Sequence, residues 1–201
     1  MAAPIILTIL SYLLGSIPAG FLVGSSAGVD VRSSGSGNIG ATNVARTLGW
    51  KKGLVTLFAD VAKGFLPVFA AHLLDLGSAA AAAAGLAAFA GHLYPVFLRF
   101  KGGKGVATAA GVYLAAMPLG LLVVLGVFAL AMLAGRRVSL ASMAAGVAAP
   151  VVAWVLSYPG EVAWVSLVIG ILVVIRHREN IRRLMAGEEP RFELRRSRSG
   201  G

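Results

Sequence analysis

The chain has 201 residues, 58% of them apolar and 13% charged, with a net charge of +10 and no cysteine. Ordinary globular domains are about 45–50% apolar and about 25% charged. A chain this short cannot hide such a surplus of apolar surface from water, so soluble, disordered and fibrous folds are excluded and lipid is the expected solvent.

A spanning helix needs about 20 mostly apolar residues. Residues 4–23 supply the first. No basic residue precedes them, the first being Arg32, so they do not read as a cleaved signal peptide. Gly20 and Gly24 at the end of this stretch, four apart, read as a helix contact. Residues 53–74 supply the second span and carry Asp60 and Lys63, three apart and able to pair on one face. Ionisable groups inside a membrane are costly, so this pair is open to a functional or a structural role. Residues 78–97 supply the third, with an alanine run suited to close helix packing. The stretch 106–133 is too long for one span, and Pro118 sits near its middle, where a proline ends or kinks a helix. Residues 140–156 and 162–175 complete the set.

Charge decides the ambiguous stretch. If 106–133 is two short spans turning near Met117 to Gly120, every lysine and arginine except Lys63 falls on one face of the membrane. The other face keeps only Asp75, Glu161 and His72. The excess of Lys and Arg in cytoplasmic loops favours this arrangement. The expectation is an all-α integral membrane protein of seven transmembrane helices, N-terminus outside and C-terminus cytoplasmic. It forms a single domain over 1–201, with a disordered basic tail over 193–201.

Three segments on the basic face carry chemistry. The first runs from Arg32 to Arg46 and offers Ser36, Asn38, Thr42 and Asn43 as hydroxyl and amide groups. Arg46 adds a planar fork suited to carboxylate or phosphate. Its Gly35, Gly37 and Gly40 spell a dinucleotide-like pattern, but no strand precedes it and no βαβ unit follows, so that reading fails. The second is Phe100-Lys-Gly-Gly-Lys-Gly-Val-Ala-Thr108, directly before a helix. Glycine amides, a helix N-terminus, Lys101 and Lys104 make it a candidate phosphate cradle at Gly102 and Gly103. Gly105 stands where a Walker loop has Ser or Thr, so it is not one. The third is Arg176-His-Arg-Glu-Asn-Ile-Arg-Arg183, continuing the last helix out of the membrane, with His177 and Asn180 on one helical face. A flexible connector, a basic edge anchor and a stop-transfer cluster are the bland readings of these three. Ser139 reads as a helix N-cap, Ser142 as open to a ligand role, and His92 as a satisfied histidine at a helix end.

No His/Cys/carboxylate cluster suits zinc, no carboxylate pair suits glycosidic chemistry, and no G-x-S-x-G elbow is present. The H-x-x-x-x-D pair of many glycerolipid acyltransferases is also missing: Phe97, Arg182 and Gly77 stand five residues after His92, His177 and His72. What converges is cationic, glycine-rich and hydroxylated, which suits phosphorylated molecules. A small transporter of organic phosphate and a lipid-head-group binder remain alternatives to an enzyme.

Ser36-Gly-Asn-Ile-Gly-Ala-Thr-Asn-Val-Ala-Arg46, Phe100-Lys-Gly-Gly-Lys-Gly-Val-Ala-Thr108 and Arg176-His-Arg-Glu-Asn180 resemble, in order, the three signature motifs of the PlsY family. That family comprises bacterial acyl-phosphate:glycerol-3-phosphate acyltransferases. The resemblance extends to Asp60/Lys63-Gly64, Ser139/Ser142 and Glu188-Glu189-Pro190. It implies a seven-helix fold in the inner membrane with the site facing the cytoplasm. It implies acyl transfer from acyl phosphate to the sn-1 hydroxyl of glycerol-3-phosphate, giving lysophosphatidic acid and phosphate. Ser36, Arg46, Lys104, His177 and Asn180 are then the catalytic candidates. Asn38, Thr42, Asn43, Gly102, Gly103, Ser142 and Lys63 are the substrate-binding ones. The implied partners are glycerol-3-phosphate, acyl phosphate and membrane lipid, with no nucleic acid, no cofactor, no metal, and a monomer as the working unit. Whether His177 or the donor phosphate takes the acceptor proton stays open.

Overall fold

The computed structural model describes residues 2–191, which form ten α-helices and one short 3₁₀ turn; the basic tail expected over 193–201 lies outside them. In chain order these are α1 (Ala2–Gly15), α2 (Ala19–Ser25), α3 (Ala41–Leu48), α4 (Trp50–Leu73), α5 (Ser78–Leu93), the 3₁₀ turn (Val96–Leu98), α6 (Val106–Ala116), α7 (Pro118–Gly135), α8 (Val138–Val155), α9 (Gly160–Arg176) and α10 (Arg178–Met185). Five stretches are long and apolar enough to cross a membrane: Ala2–Ser25, Trp50–Leu73, Ser78–Leu98, Pro118–Gly135 and Val138–Val155. The pair α9 and α10 passes the same test together but is bent by 54°.

The outer surface is what a lipid-facing bundle requires. Leu133 and Trp154 are each 78% exposed, and Leu119, Leu130 and Trp164 are exposed beside them. Water would penalise each such side chain by roughly 1.5–3 kcal/mol; hydrocarbon does not. With no hydrophobic drive between helices in lipid, packing falls to small residues that let backbones touch. A Cβ on Gly64 would sit 2.1 Å from the Thr108 carbonyl oxygen, and one on Gly111 would sit 2.0 Å from that of Val61, so α4 and α6 cross in direct backbone contact. Gly15 against Ala88, and Gly91 against Tyr12, do the same for α1 and α5. The alanine run packs as expected, with Ala80, Ala81 and Ala84 buried.

Three differences from the sequence expectation have local causes. The first span is broken: α1 stops at Gly15, and Pro18, which has no N–H to donate, precedes α2. Gly20 and Gly24 serve more than a helix contact: Gly20 faces the Ile39 carbonyl as well as the Thr56 side chain of α4, and Gly24 faces the Val29 carbonyl, so α2 also seats the loop that follows it. The last helix does not continue straight. The Val173 carbonyl accepts both the His177 N–H (3.1 Å) and the His177 Nδ1–H (2.7 Å), and the chain turns there into α10. The break in 106–133 falls at Met117, with Pro118 opening α7 at a position where its missing N–H costs nothing.

Candidate functional site

The segments 26–40, 99–105, 136–137 and 177–191 meet at one end of the bundle, where Arg137 donates to the Glu189 carbonyl. At that end a pocket of about 150 Å³ is lined by Ser36, Gly37, Asn38, Lys104, Arg176, Arg178, Glu179, Asn180 and Arg183. Three segments distant in sequence therefore share one cavity.

The first segment is shaped by Asn43. Buried at the start of α3, its amide nitrogen donates toward the carbonyls of Val31 (2.9 Å), Ser34 (3.0 Å) and Asn38 (2.8 Å), and its Oδ1 accepts the Ser36 N–H (2.8 Å). Asn43 was expected to touch substrate. Its polar atoms are instead turned to the loop, which it holds in shape. Gly35 and Gly37 adopt left-handed φ of +60° and +71°, open to glycine at little cost. The result presents Ser36 and Asn38 to the pocket, whereas Thr42 and Arg46 are exposed on α3 and do not line it.

The second segment is less a cradle of free amides than a clamped strip. The Gly103 N–H donates to the His92 carbonyl (3.2 Å) and is not free for an anion. Arg176 reaches across from α9, donating from Nε to the Gly103 carbonyl (3.0 Å) and from Nη2 to that of Gly102 (2.7 Å). Its guanidinium also lies over the Tyr94 ring, 5.7 Å from the centroid. This clamp fixes Lys104 at the pocket wall. Burial pushes the Lys104 ammonium down to about 8, the pull of Glu189 and Glu179 offsetting it in part and the neighbouring Arg183 and Arg176 adding to it.

The third segment is organised by a residue given no site role in the sequence expectation. After α10, Gly187 takes φ of +74° and turns the chain back. This delivers the buried Glu189 carboxylate into the bundle end. Its Oε1 accepts from Ser139 Oγ (2.6 Å) and Asn180 Nδ2 (2.7 Å), its Oε2 from Arg183 Nε (2.8 Å), and its carbonyl from Arg137 Nε (3.2 Å). Ser139 is therefore not a helix cap; Arg137 holds that position. Burial works against the charge on Glu189, but these hydrogen bonds outweigh it and keep the carboxyl below its ordinary range. Asn180, its amide nitrogen turned to Glu189, offers Oδ1 to Lys104 Nζ, which donates to it. The only sequence signal for Glu189 was its place in Glu188-Glu189-Pro190, within a basic tail.

The remaining expected residues lie off the pocket. His177 is buried at the α9–α10 bend, its Nδ1–H given to Val173. Burial drives its imidazole down to about 4, the Val173 carbonyl opposing and Lys104 adding to the shift. Ser142 is buried and its hydroxyl donates back to the Val138 carbonyl (2.8 Å). Lys63 sits within the bundle beside Asp60, 2.8 Å away, the pairing expected from their spacing.

A helical bundle sheathed in exposed apolar side chains, with a pocket of polar and cationic residues at one end, is an integral membrane protein. The family model described as glycerol-3-phosphate acyltransferase matches residues 5–187. Glycerol-3-phosphate acyltransferases of Geotalea daltonii and Aquifex aeolicus are 51% and 48% identical to the chain, covering 96% and 92% of it and 100% and 97% of their own lengths. Crystal structures of PlsY, an integral membrane glycerol 3-phosphate acyltransferase, match at 46% identity over 95% of this chain and 96% of theirs. Their TM-scores are 0.91 for the glycerol 3-phosphate form and 0.89 for the lysophosphatidic acid form. The chain belongs to the glycerol-3-phosphate acyltransferase family, that of PlsY.

Proposed function

We propose that the chain transfers an acyl group from acyl phosphate to the sn-1 hydroxyl of glycerol-3-phosphate, releasing lysophosphatidic acid and inorganic phosphate. The observation that carries this is the convergence of Ser36, Asn38, Lys104 and Asn180 on one pocket walled by Arg176, Arg178 and Arg183, in a chain of this family. The donor is already activated, so no enzyme nucleophile is needed. The acceptor hydroxyl oxygen attacks the acyl carbonyl carbon and a carbon–oxygen bond forms. The bond from that carbon to the bridging phosphate oxygen breaks, its electron pair leaves with phosphate, and the hydroxyl proton passes to a phosphate oxygen. Two anions must be held together for this, and the cationic walls remove the repulsion that opposes it. Orientation of two reactants is worth about 7–11 kcal/mol of barrier. Lys104 and Asn180 hold the acceptor phosphate, with Arg46 guarding the exposed side. Ser36 and Asn38 address the donor phosphate or the developing oxyanion. His177, neutral and weakly basic, positions the third segment and leaves the proton to the donor phosphate.

We place this site at the cytoplasmic rim of a bacterial inner membrane, with the N-terminus outside and seven crossings. At about 1.5 Å per residue, the 11-residue α6 covers about half of a bilayer core of about 30 Å. It completes a crossing because the 99–105 loop dips into the rim, which fits the burial of Gly103 and Gly105. A monomer suffices, since every named group comes from one chain. The test gives purified protein in detergent acyl phosphate and labelled glycerol-3-phosphate. Lysophosphatidic acid formed with one phosphate released per turnover, and none from acyl-CoA or acyl carrier protein, is expected. Binding without turnover overturns the reading in favour of a head-group binder or transporter.

A further inference from the structure

Behind the pocket lies a group of buried polar side chains that the proposed reaction does not touch. Asp60 and Lys63 come from α4, His92 from the end of α5 and Thr108 from α6, and none is more than 5% exposed. Lys63 Nζ lies 2.8 Å from Asp60 Oδ1 and donates to the Ile17 carbonyl (2.9 Å) at the break between α1 and α2. His92 Nδ1 stands 3.1 Å from Thr108 Oγ1 and 3.5 Å from Asp60 Oδ1. Charges at such a place are expensive, and these helices already hold one another through Gly64 and Gly111. The cluster's reach explains it better than helix packing does.

The far edge of the His92 ring abuts the second motif. A Cβ on Gly103 would lie 2.3 Å from His92 Nε2, and the Gly103 N–H donates to the His92 carbonyl. Gly103 has no left-handed φ. Glycine is needed there because the ring occupies the space, not because the backbone bends unusually. Lys104 is the next residue, and Arg176 holds the strip from the other side through the Gly102 and Gly103 carbonyls. A strip clamped between a ring and a guanidinium has its height set by both.

We propose that His92, fixed in orientation by Asp60, Lys63 and Thr108, is a positioning residue that sets the height of the Gly102–Gly103 strip and so aims Lys104 Nζ at the phosphate of the acceptor. The inference rests on the acyltransferase reading, and specifically on Lys104 holding glycerol-3-phosphate. It assigns a role to a buried ion pair and histidine that touch neither reactant.

The experiment measures KM and kcat for glycerol-3-phosphate, direct binding of glycerol-3-phosphate by calorimetry, and melting temperature in detergent, for four purified full-length chains beside the wild type. In His92→Asn the short amide retains a group toward Thr108 and Asp60 but withdraws the ring edge from Gly103. KM and the dissociation constant are expected to rise about tenfold, with kcat and melting temperature near wild type. Gly103→Ala alone is expected to weaken binding at least as much. In a His92→Ala background, the added Gly103→Ala change is expected to cost little more than His92→Ala alone, because removing the ring opens the space the methyl needs; such coupling belongs to residues in contact. Three results overturn the inference: wild-type binding in His92→Asn, equal costs of Gly103→Ala in both backgrounds, or failure of His92→Asn to assemble, which would make the ring a support of the bundle. A wild-type chain that neither binds nor acylates glycerol-3-phosphate sinks the acyltransferase reading itself, a separate outcome read before any variant is made.

Discussion

Lys104 and His177 sit at the same end of the molecule, and burial pushes both toward neutrality with different consequences. Lys104, lowered to about 8, still carries its proton at neutral pH and loses it just above. Its charged fraction falls about tenfold per pH unit beyond that point. If it holds the acceptor phosphate, KM for glycerol-3-phosphate stays flat below about pH 8 and climbs above it. Lys104→Arg, protonated throughout, removes that rise even if its overall KM is worse; a rise unchanged in Lys104→Arg assigns it to another group. His177, lowered to about 4, is uncharged at neutral pH and too weak a base for efficient proton abstraction there, since a good catalytic base has its pKa near the working pH. His177→Asn, whose amide retains a donor toward the Val173 carbonyl, is therefore expected to lower the rate by about 10- to 100-fold without changing the shape of kcat/KM between about pH 5 and 7. Loss of an acid limb in that variant, with recovery by exogenous imidazole, would make His177 the base after all.

At the scale of elements, the first motif is a loop whose order depends on one side chain. Asn43→Asp keeps the acceptor for the Ser36 N–H but removes the donors that face the Val31, Ser34 and Asn38 carbonyls, and puts a negative charge among them. Leaving the buried Val31 carbonyl unsatisfied costs about 1–3 kcal/mol. The expected result is activity reduced at least tenfold, with the segment 31–40 cut by protease faster than in wild type while the melting of the bundle moves by only a few degrees. Equal cleavage rates would count against this. Asn43 also shows what a sequence can and cannot disclose. Its residue type and place in the motif marked it as polar and important; nothing in the spacing showed that it faces inward to its own loop. The spans were legible because hydropathy is additive along the chain, and the break at Met117 because Pro118 opens a helix as its chemistry requires. The bend at His177 was not, since it depends on which carbonyl the imidazole reaches, and the pause at Pro18 was passed over because the apolar run continues through it. Glu189 was hidden for the same reason as the bend: one of two adjacent glutamates in a basic tail reads as solvated until Gly187 turns it inward beneath Asn180 and Ser139.

At the scale of the molecule, one asymmetry governs the arrangement. Among the described residues Lys63 is the one basic side chain, lysine or arginine, away from the end that carries the pocket, while the opposite end has Asp75, Glu161 and His72 and a hydrogen bond from Ser78 to Glu161 (3.2 Å). Two forces act along this axis. In the orientation proposed above, the bias of Lys and Arg toward one side sets the direction of insertion, and the field left at that rim draws the two proposed anionic reactants toward the pocket. Orientation and substrate capture then have the same origin, so a reversal of one disables the other. The chain has no native cysteine, which makes the prediction direct. Single cysteines in place of the exposed Lys101 and Arg178 are expected to react with a membrane-impermeant maleimide only from inside-out vesicles, and cysteines in place of Asp75 and Ser157 only from right-side-out ones. Labelling of positions 101 and 178 from opposite faces would separate the second motif from the third and leave no shared pocket for Lys104 and Asn180. Labelling of all four from the faces opposite to those expected would keep the pocket but turn it away from the cytoplasm, and with it the supply of glycerol-3-phosphate.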